Sequence, residues 1–276
     1  MSIFHAIVLG LVQGLTEFLP ISSSGHLILT PWLFGWNDFS NVETQRAFDA
    51  ALHLGTLVAV LFYLRAELVP YVREGIKVVV VPKKANITIG RRAWMFVLSA
   101  VPAGIAGALA EDWITRKLGT PALIAISLMV FGVVLVWADR QTGTRDLDSF
   151  STRDALLIGA AQVLALNPGT SRSGITITAA RKFGFSRDAA ARVSFLMSVP
   201  VIGGAVLLKL TKLASDGIPD GLIIPMIVGI ISAGISGWIA MWGMIRLLRS
   251  RSFTPFVMYR FVAGIVVLIL LSTSFR

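Results

Sequence analysis

The sequence contains no cysteine, which excludes disulfides, thiolate metal sites and cysteine nucleophiles. Charge is scarce as well. Only 14% of the 276 residues are Asp, Glu, Lys or Arg, a little over half of what a soluble domain carries. The regular charges that would interrupt the apolar stretches of a soluble α/β protein are missing too. No basic segment precedes the first apolar block, which starts near Ile3, and no small-residue cleavage site follows it. A signal peptide is therefore not expected.

What is present in abundance is apolar side chain, 55% of the chain, gathered in blocks. They run roughly over 3–19, 27–34, 50–64, 94–109, 122–138, 155–166, 195–208, 222–245 and 256–271. Several reach about 17 to 22 residues, enough to cross a hydrocarbon core of about 30 Å. The expected fold is all-α and integral to a membrane. The net charge of +10 raises nucleic-acid binding as a reading, but the basic residues fall between apolar blocks rather than along one face. In a membrane protein that pattern is an orientation signal, so no nucleic-acid partner is expected.

Two places do not look like ordinary spans. Around 20–25 and 167–174 the apolar run breaks into Pro, Ser and Gly, then resumes. Non-helical backbone at membrane depth is tolerated only inside protein or beside a water-filled cavity. The short apolar arms on each side favour re-entrant helix–loop–helix hairpins over surface loops. The breaks also resemble each other. Gly10 and Gln13 match Gly159 and Gln162 at an offset of 149 residues, and the same offset carries Ser22, Ser24 and Gly25 onto Ser171, Ser173 and Gly174. Each half continues with three apolar spans. Two related units with an odd number of crossings lie in opposite orientations, an inverted repeat whose broken helices meet near the midplane. The expectation is a single membrane domain over 1–276, with a first repeat over 1–140 and an inverted second repeat over 153–276.

Basic residues near the span ends fall 17 to one side and 6 to the other. The richer side, with Arg65, Lys77, Arg145, Arg187 and Arg246 among its members, is expected to be cytoplasmic. Both termini and the first hairpin then open outward, and the second hairpin enters from the cytoplasm. The stretch 69–92 is expected as a cytoplasmic loop with an interfacial amphipathic helix.

Ionisable groups inside apolar runs are functional suspects. Gln13 and Glu17 share one helix face leading into the serine loop of Ser22, Ser23 and Ser24, with His26 just beyond. The second loop presents Asn167, Thr170, Ser171, Arg172 and Ser173. A guanidinium fork matches phosphate geometry, and loop amides before a helix can cradle further phosphate oxygens. If the loops meet, an anion sits between an arginine-bearing cradle and a Glu/Ser/His cluster, an arrangement suited to phosphoryl transfer. Blander readings stand beside these. Glu17 and Arg172 could form a structural ion pair, and the serines could only bond across helices. His53, with Asp49, reads as a packing or polar-network group, and His5 carries no expected role. Trp32, Trp36, Trp113, Trp137 and Trp238 read as belt or packing residues. Arg260 is expected to snorkel, pair or touch a lipid head group.

The segment Gln13-Gly14-Leu15-Thr16-Glu17-Phe18-Leu19-Pro20-Ile21-Ser22-Ser23-Ser24-Gly25-His26 resembles the first signature of the undecaprenyl-diphosphate phosphatases of the bacitracin-resistance type. Pro168-Gly169-Thr170-Ser171-Arg172-Ser173-Gly174 resembles the second. The resemblance covers essentially the whole chain. It implies six transmembrane helices plus two re-entrant hairpins in an inverted-topology repeat, in a multi-pass protein of the bacterial inner membrane with its site toward the periplasm. It implies hydrolysis of undecaprenyl diphosphate to the monophosphate, recycling the lipid carrier of cell-wall peptidoglycan synthesis, with a link to bacitracin resistance. A divalent cation, magnesium or calcium, is implied as cofactor. Glu17 would hold the metal or position water, Ser23 would be the nucleophile, His26 base or acid, and Arg172 the diphosphate clamp. Gln13, Ser22, Ser24, Thr170, Ser171 and Ser173 would contact substrate. Gln13 stands where many members carry Glu, so a two-carboxylate metal site is not expected, and the ion would be shared with substrate oxygens. The attacker stays open between Ser23 activated by His26, water held by Glu17 and His26, and His26 itself. A polyprenyl-phosphate transporter or flippase on the same inverted repeat is the rival reading. Beyond the lipid substrate and membrane lipids, a homodimer is left open.

Overall fold

Both breaks in the apolar pattern, and most other helix starts, carry a side-chain cap. Ser2 accepts from His5 N and starts α1 (Ile3–Phe18), and Ser22 accepts from Gly25 N and starts α2 (Ser23–Phe34). Asn41 caps α3 (Val42–Tyr63), and α4 (Arg65–Val80) follows after Leu64. After a 3-10 turn come α5 (Ile87–Leu118) and, capped by Thr120, α6 (Pro121–Asp139). A capping box of Ser151 and Asp154 opens α7 (Thr152–Gln162), and Ser171 accepts from Gly174 N to open α8 (Arg172–Lys182). Ser186 caps α9 (Arg187–Asp216), which is followed by α10 (Ile223–Leu248) and α11 (Thr254–Ser272). These side-chain oxygens satisfy amide donors that a helix start leaves open.

The structure is a computed structural model. It describes residues 1–39, 41–217, 221–248, 250–273 and 275, apart from the side chains of residues 111, 112, 115, 116, 210, 212 and 214–216. Among the basic residues counted for orientation, Arg249 and Arg276 and the side chains of Arg116 and Lys212 lie outside the described residues.

The described residues are helical, with no strand and one isolated bridge between Arg145 and Phe185. Among the described residues, six helices are long and apolar enough to cross a membrane: Val42–Tyr63, Ile87–Ala110, Pro121–Asp139, Arg187–Lys209, Ile223–Leu248 and Thr254–Ser272. The expected all-α, six-span membrane architecture stands. Three of these spans fall in each half of the chain, while α1, α2, α7 and α8 are shorter.

Helix α10 shows how such a span divides its surface. Ile227, Ile231, Ile235 and Ile239, four apart, are exposed on one face, whereas Gly229, Ala233, Ser236, Gly237 and Ala240 are buried on the other. The buried face is small enough for α1 to lie directly on it. A Cβ at Gly10 would come within 2.6 Å of Gly229 O, and one at Gly14 within 2.6 Å of Gly237 N. Small residues that let backbones approach are the usual means of helix association in a membrane. Helix α7 lies against α5 in the same way, where a Cβ at Gly159 would meet Ser99 O at 2.5 Å. The first half's leading helix thus packs on the second half, and the second half's on the first.

The expected helix in 69–92 is α4, which begins earlier, at Arg65. It exposes Val69, Val72, Ile76, Val79 and Val80 and lies on α5, where Trp94 Nε1 donates to Gly75 O at 3.0 Å. Glu74 ties the turn between them, accepting from Asn86 N at 2.8 Å, Lys77 Nζ at 3.0 Å and Arg73 Nε at 2.9 Å. The Asn86 amide and the Lys77 ammonium hold its carboxyl down to about 2.

Candidate active site

The two loops between α1 and α2 and between α7 and α8 meet. Ser22 and Ser171, the equivalent positions of the two breaks, are the only non-glycine residues with positive φ among those described, at 77° and 75°. An L residue adopts that conformation only when its surroundings hold it there. Here the surroundings are the opposite loop and the helix each serine caps. Ser22 Oγ accepts from Gly169 N at 3.0 Å, and Ser173 Oγ donates to Leu19 O at 2.9 Å. Gly169, at φ 93°, must be glycine twice over, since a Cβ there would also press on Ile124 O at 2.6 Å.

Arg260 clamps the junction, and its expected snorkelling, pairing or lipid contact is overturned. Its side chain is fully buried and donates only to backbone carbonyls: Pro20 at 2.9 Å in the first loop, Gly169 and Thr170 at 2.9 and 3.1 Å in the second, and Leu128 and Ser127 on α6 at 2.7 and 3.4 Å. A planar fork with five N–H groups is the one side chain that can satisfy so many carbonyls at once. Its sequence neighbours are apolar, so nothing local in the chain announces this role.

At the end of α1, Glu17 gathers the chemistry. Its Oε1 accepts from Arg172 Nη2 at 3.3 Å. Its Oε2 accepts from Ser23 Oγ at 2.5 Å and from Gln13 Nε2 at 3.1 Å, with His53 Nε2 at 3.7 Å. Arg172 also donates through Nη1 to Ser194 O at 3.1 Å, while its Nε is buried with no partner. Against the single carboxylate of Glu17 the junction holds two guanidinium groups, Arg172, which pairs with it, and the buried Arg260, which bonds only backbone carbonyls. The local charge is therefore net positive, which favours an anion.

The remaining expected site residues divide. Ser23 is half-buried and Ser24 exposed, whereas Ser22, Thr170, Ser171 and Ser173 are buried. Their hydroxyls are engaged within the junction: Thr170 Oγ1 accepts from Asn167 Nδ2 at 3.1 Å, and the Ser171 and Ser173 hydroxyls bond each other at 3.1 Å. His26 is not bonded to Ser23. Its Nδ1 faces Ser22 O at 2.7 Å, and since a carbonyl only accepts, Nδ1 carries the proton. Nε2 then accepts from the Tyr259 hydroxyl at 2.8 Å, with the rings stacked at 5.6 Å. Tyr259 was not singled out from sequence, and its only clue there is the neighbouring Arg260.

His53 joins the Glu17 cluster, where sequence reading gave it a packing or network role. His5 lies against Asp38 at 2.7 Å and stacks on Trp36 at 3.8 Å. Among the described residues there is no cluster of three or more His, Cys, Asp or Glu that could hold a metal. What Glu17 offers instead is one carboxylate and the Ser23 hydroxyl, with the Gln13 amide beside them, whose Oε1 is buried with no hydrogen-bond partner. That oxygen-rich donor set fits a hard cation that completes its shell with phosphate oxygens and water.

A family model described as bacitracin resistance protein BacA matches residues 6–266. The chain is 44% identical over 274 residues to a protein of Geobacter metallireducens named undecaprenyl-diphosphatase, covering 98% of each chain. It is 45% identical over 271 residues to one of the same name from Geobacter sulfurreducens, covering 97% of this chain and 98% of the relative. An undecaprenyl-diphosphatase 2 of Stutzerimonas stutzeri is 42% identical over 281 residues, covering 99% of both.

Proposed function

The chain belongs to the bacitracin resistance protein BacA family, and from that premise we propose how it works. It is a membrane enzyme that hydrolyses undecaprenyl diphosphate to undecaprenyl phosphate and inorganic phosphate. The observation that carries the mechanism is the 2.5 Å hydrogen bond from Ser23 Oγ to Glu17. A carboxylate this close to a hydroxyl is a general base in place.

In the first step Ser23 Oγ bonds to the terminal phosphorus, the bond from that phosphorus to the bridging oxygen breaks, and undecaprenyl phosphate leaves. The Ser23 proton passes to Glu17. In the second step water attacks the phosphoserine, the Oγ–P bond breaks, and the proton returns to Ser23 as phosphate departs. Arg172 neutralises charge on the equatorial oxygens, assisted by the field of buried Arg260. Ser24 and the amides of the two loops would position the diphosphate. His26, linked to Tyr259, stands ready to bind or protonate the bridging oxygen.

A divalent cation, magnesium or calcium, belongs to this reading. Glu17 and Ser23 would hold it with the Gln13 oxygen, and it would offset phosphate charge. Supporting a re-entrant, inverted arrangement are the paired positive-φ serines, the shared offset and the crossed packing of α1 on α10 and α7 on α5. The charge bias supports a bacterial inner-membrane setting with both termini and the site toward the periplasm. The whole site comes from one chain, so a homodimer is compatible with this chemistry and not required by it. A transporter on the same loops is not favoured, given the names of the relatives.

The test is phosphate release from undecaprenyl diphosphate by the purified protein, with and without EDTA, beside Glu17→Ala and Arg172→Ala. Release that needs the cation and vanishes in both variants supports the site across the two loops. Release that persists in both would overturn it.

A further inference from the structure

The two oxygens of Glu17 face different chemistry. Oε1 takes the Arg172 guanidinium, while Oε2 faces Ser23, Gln13 and His53. His53 is set as a metal-binding imidazole is set. Its Nδ1 lies 2.8 Å from Asp49 O, one turn earlier on α3. A carbonyl can only accept, so Nδ1 carries a proton, and in the neutral ring Nε2, 3.7 Å from Glu17 Oε2, is the nitrogen with a free lone pair. A backbone carbonyl behind the ring is the usual support of a ligating histidine.

At 3.7 Å from Oε2, His53 Nε2 is too far for a hydrogen bond but close to the separation of two ligands of one ion. Donors about 2.1 Å from an ion stand roughly 3.0 to 3.5 Å apart at right or tetrahedral angles, so a few tenths of an ångström close the gap. Gln13 is the third member. It is fully buried and bonds Glu17 through Nε2 while its Oε1 has no partner. Amide oxygen and nitrogen exchange places by a simple flip. With the amide turned, two oxygens and one nitrogen face the same point.

We infer that His53 is the nitrogen donor of a mixed site with Gln13 and Glu17 for a divalent cation. The inference rests on the reading that a cation is held at Glu17. Carboxylate and amide oxygens suit Mg²⁺, Ca²⁺ and Mn²⁺ alike, so Mn²⁺ can report on the site spectroscopically. The ion on the Oε2 side and the guanidinium on the Oε1 side would share one carboxylate without competing for one oxygen.

The chain has three histidines, so the donor can be identified. His26 has both ring nitrogens engaged, and His5 is tied to Asp38 at the start of α1. The experiment is Mn²⁺ titration of the purified full chain, read by the loss of the free-ion signal, with pulsed electron paramagnetic resonance of the bound ion. The expected result is a ¹⁴N imidazole coupling that becomes ¹⁵N when histidine is ¹⁵N-labelled. In His53→Gln the coupling disappears and the Mn²⁺ Kd rises by about tenfold or more, since even outer-shell partners of a ligand cost 10- to 100-fold. His26→Gln keeps the coupling. Bound Mn²⁺ with no nitrogen coupling in the labelled wild type, or a coupling that survives His53→Gln, overturns the proposal alone. Failure of Mn²⁺ to bind the wild type overturns the cation reading and this proposal with it.

Discussion

Arg172 Nη2 lies 3.3 Å from Oε1 of Glu17, joining residues 155 positions apart across the contact of the two broken helices. Neither loop alone has the means to bind a diphosphate and activate a nucleophile. The first brings the carboxylate and the hydroxyl, and the second brings the guanidinium on a cap held by its own strained serine. Function therefore depends on how precisely the loops are held together, by Arg260 and by the Ser22–Gly169 and Ser173–Leu19 bonds.

Arg172→Lys tests the fork. An ammonium can replace the charge but not two parallel donors on fixed geometry. We expect kcat/KM to fall by about 10²-fold, ~2.7 kcal/mol, the typical effect of removing one donor from a transition-state oxyanion. Steady-state phosphate release measures it, and near-normal turnover in the variant would remove Arg172 from the clamp.

Ser22→Ala removes the acceptor of the Gly169 amide and the cap of α2 together. A buried N–H left without a partner costs about 1 to 3 kcal/mol. The melting temperature should drop, and it should drop more than in Ser24→Ala, whose hydroxyl is exposed and approaches Ser22 Oγ at 3.5 Å. Equal melting points for the two variants would count against the loop-to-loop bond as a determinant of stability.

Arg260→Leu leaves carbonyls of both loops and of α6 without donors inside the protein. With each buried orphan costing about 1 to 3 kcal/mol, the loss should reach at least about 3 kcal/mol. Arg260→Lys should recover part of it, because an ammonium has three donors. Thermal unfolding in detergent ranks the three proteins, and a leucine variant as stable as wild type would show the clamp to be idle.

The turn between α4 and α5 should be acid-labile. The Glu74 carboxyl is held down to about 2 in the folded protein, against an ordinary value of 4.5. A group with a depressed folded value contributes stability fully above its unfolded value and loses it as pH falls through the folded one. Protection of the Asn86 amide in hydrogen exchange should thus be constant above about pH 5 and decline between about pH 4.5 and 2. In Glu74→Gln that pH dependence should vanish.

Much of this was legible in the chain. Long apolar runs interrupted by Pro, Ser and Gly mark the two loops, because polar backbone inside a membrane needs a protein partner. The meeting of Glu17 with Arg172 follows from the same logic, since each charge is costly without the other. What stayed hidden depends on side-chain direction. The resemblance leaves His26 as base or acid, with Ser23, water or His26 itself as attacker, but its ring turns to Ser22 O and Tyr259. His53 looked like part of a local polar network because nothing in α3 shows that its Nε2 faces a carboxylate on α1. Arg260 reads from sequence as a residue that snorkels, pairs or touches a lipid head group because backbone carbonyls, its actual partners, leave no mark in a sequence.

The most direct test of the reacting centre is acid-quenched turnover of undecaprenyl diphosphate labelled in its terminal phosphate, followed by peptide mapping. The geometry of Ser23 and Glu17 predicts label on the peptide that contains Ser23, absent in Ser23→Ala and failing to form in Glu17→Gln. Turnover at full rate with no labelled enzyme, or with the label on His26, would contradict it.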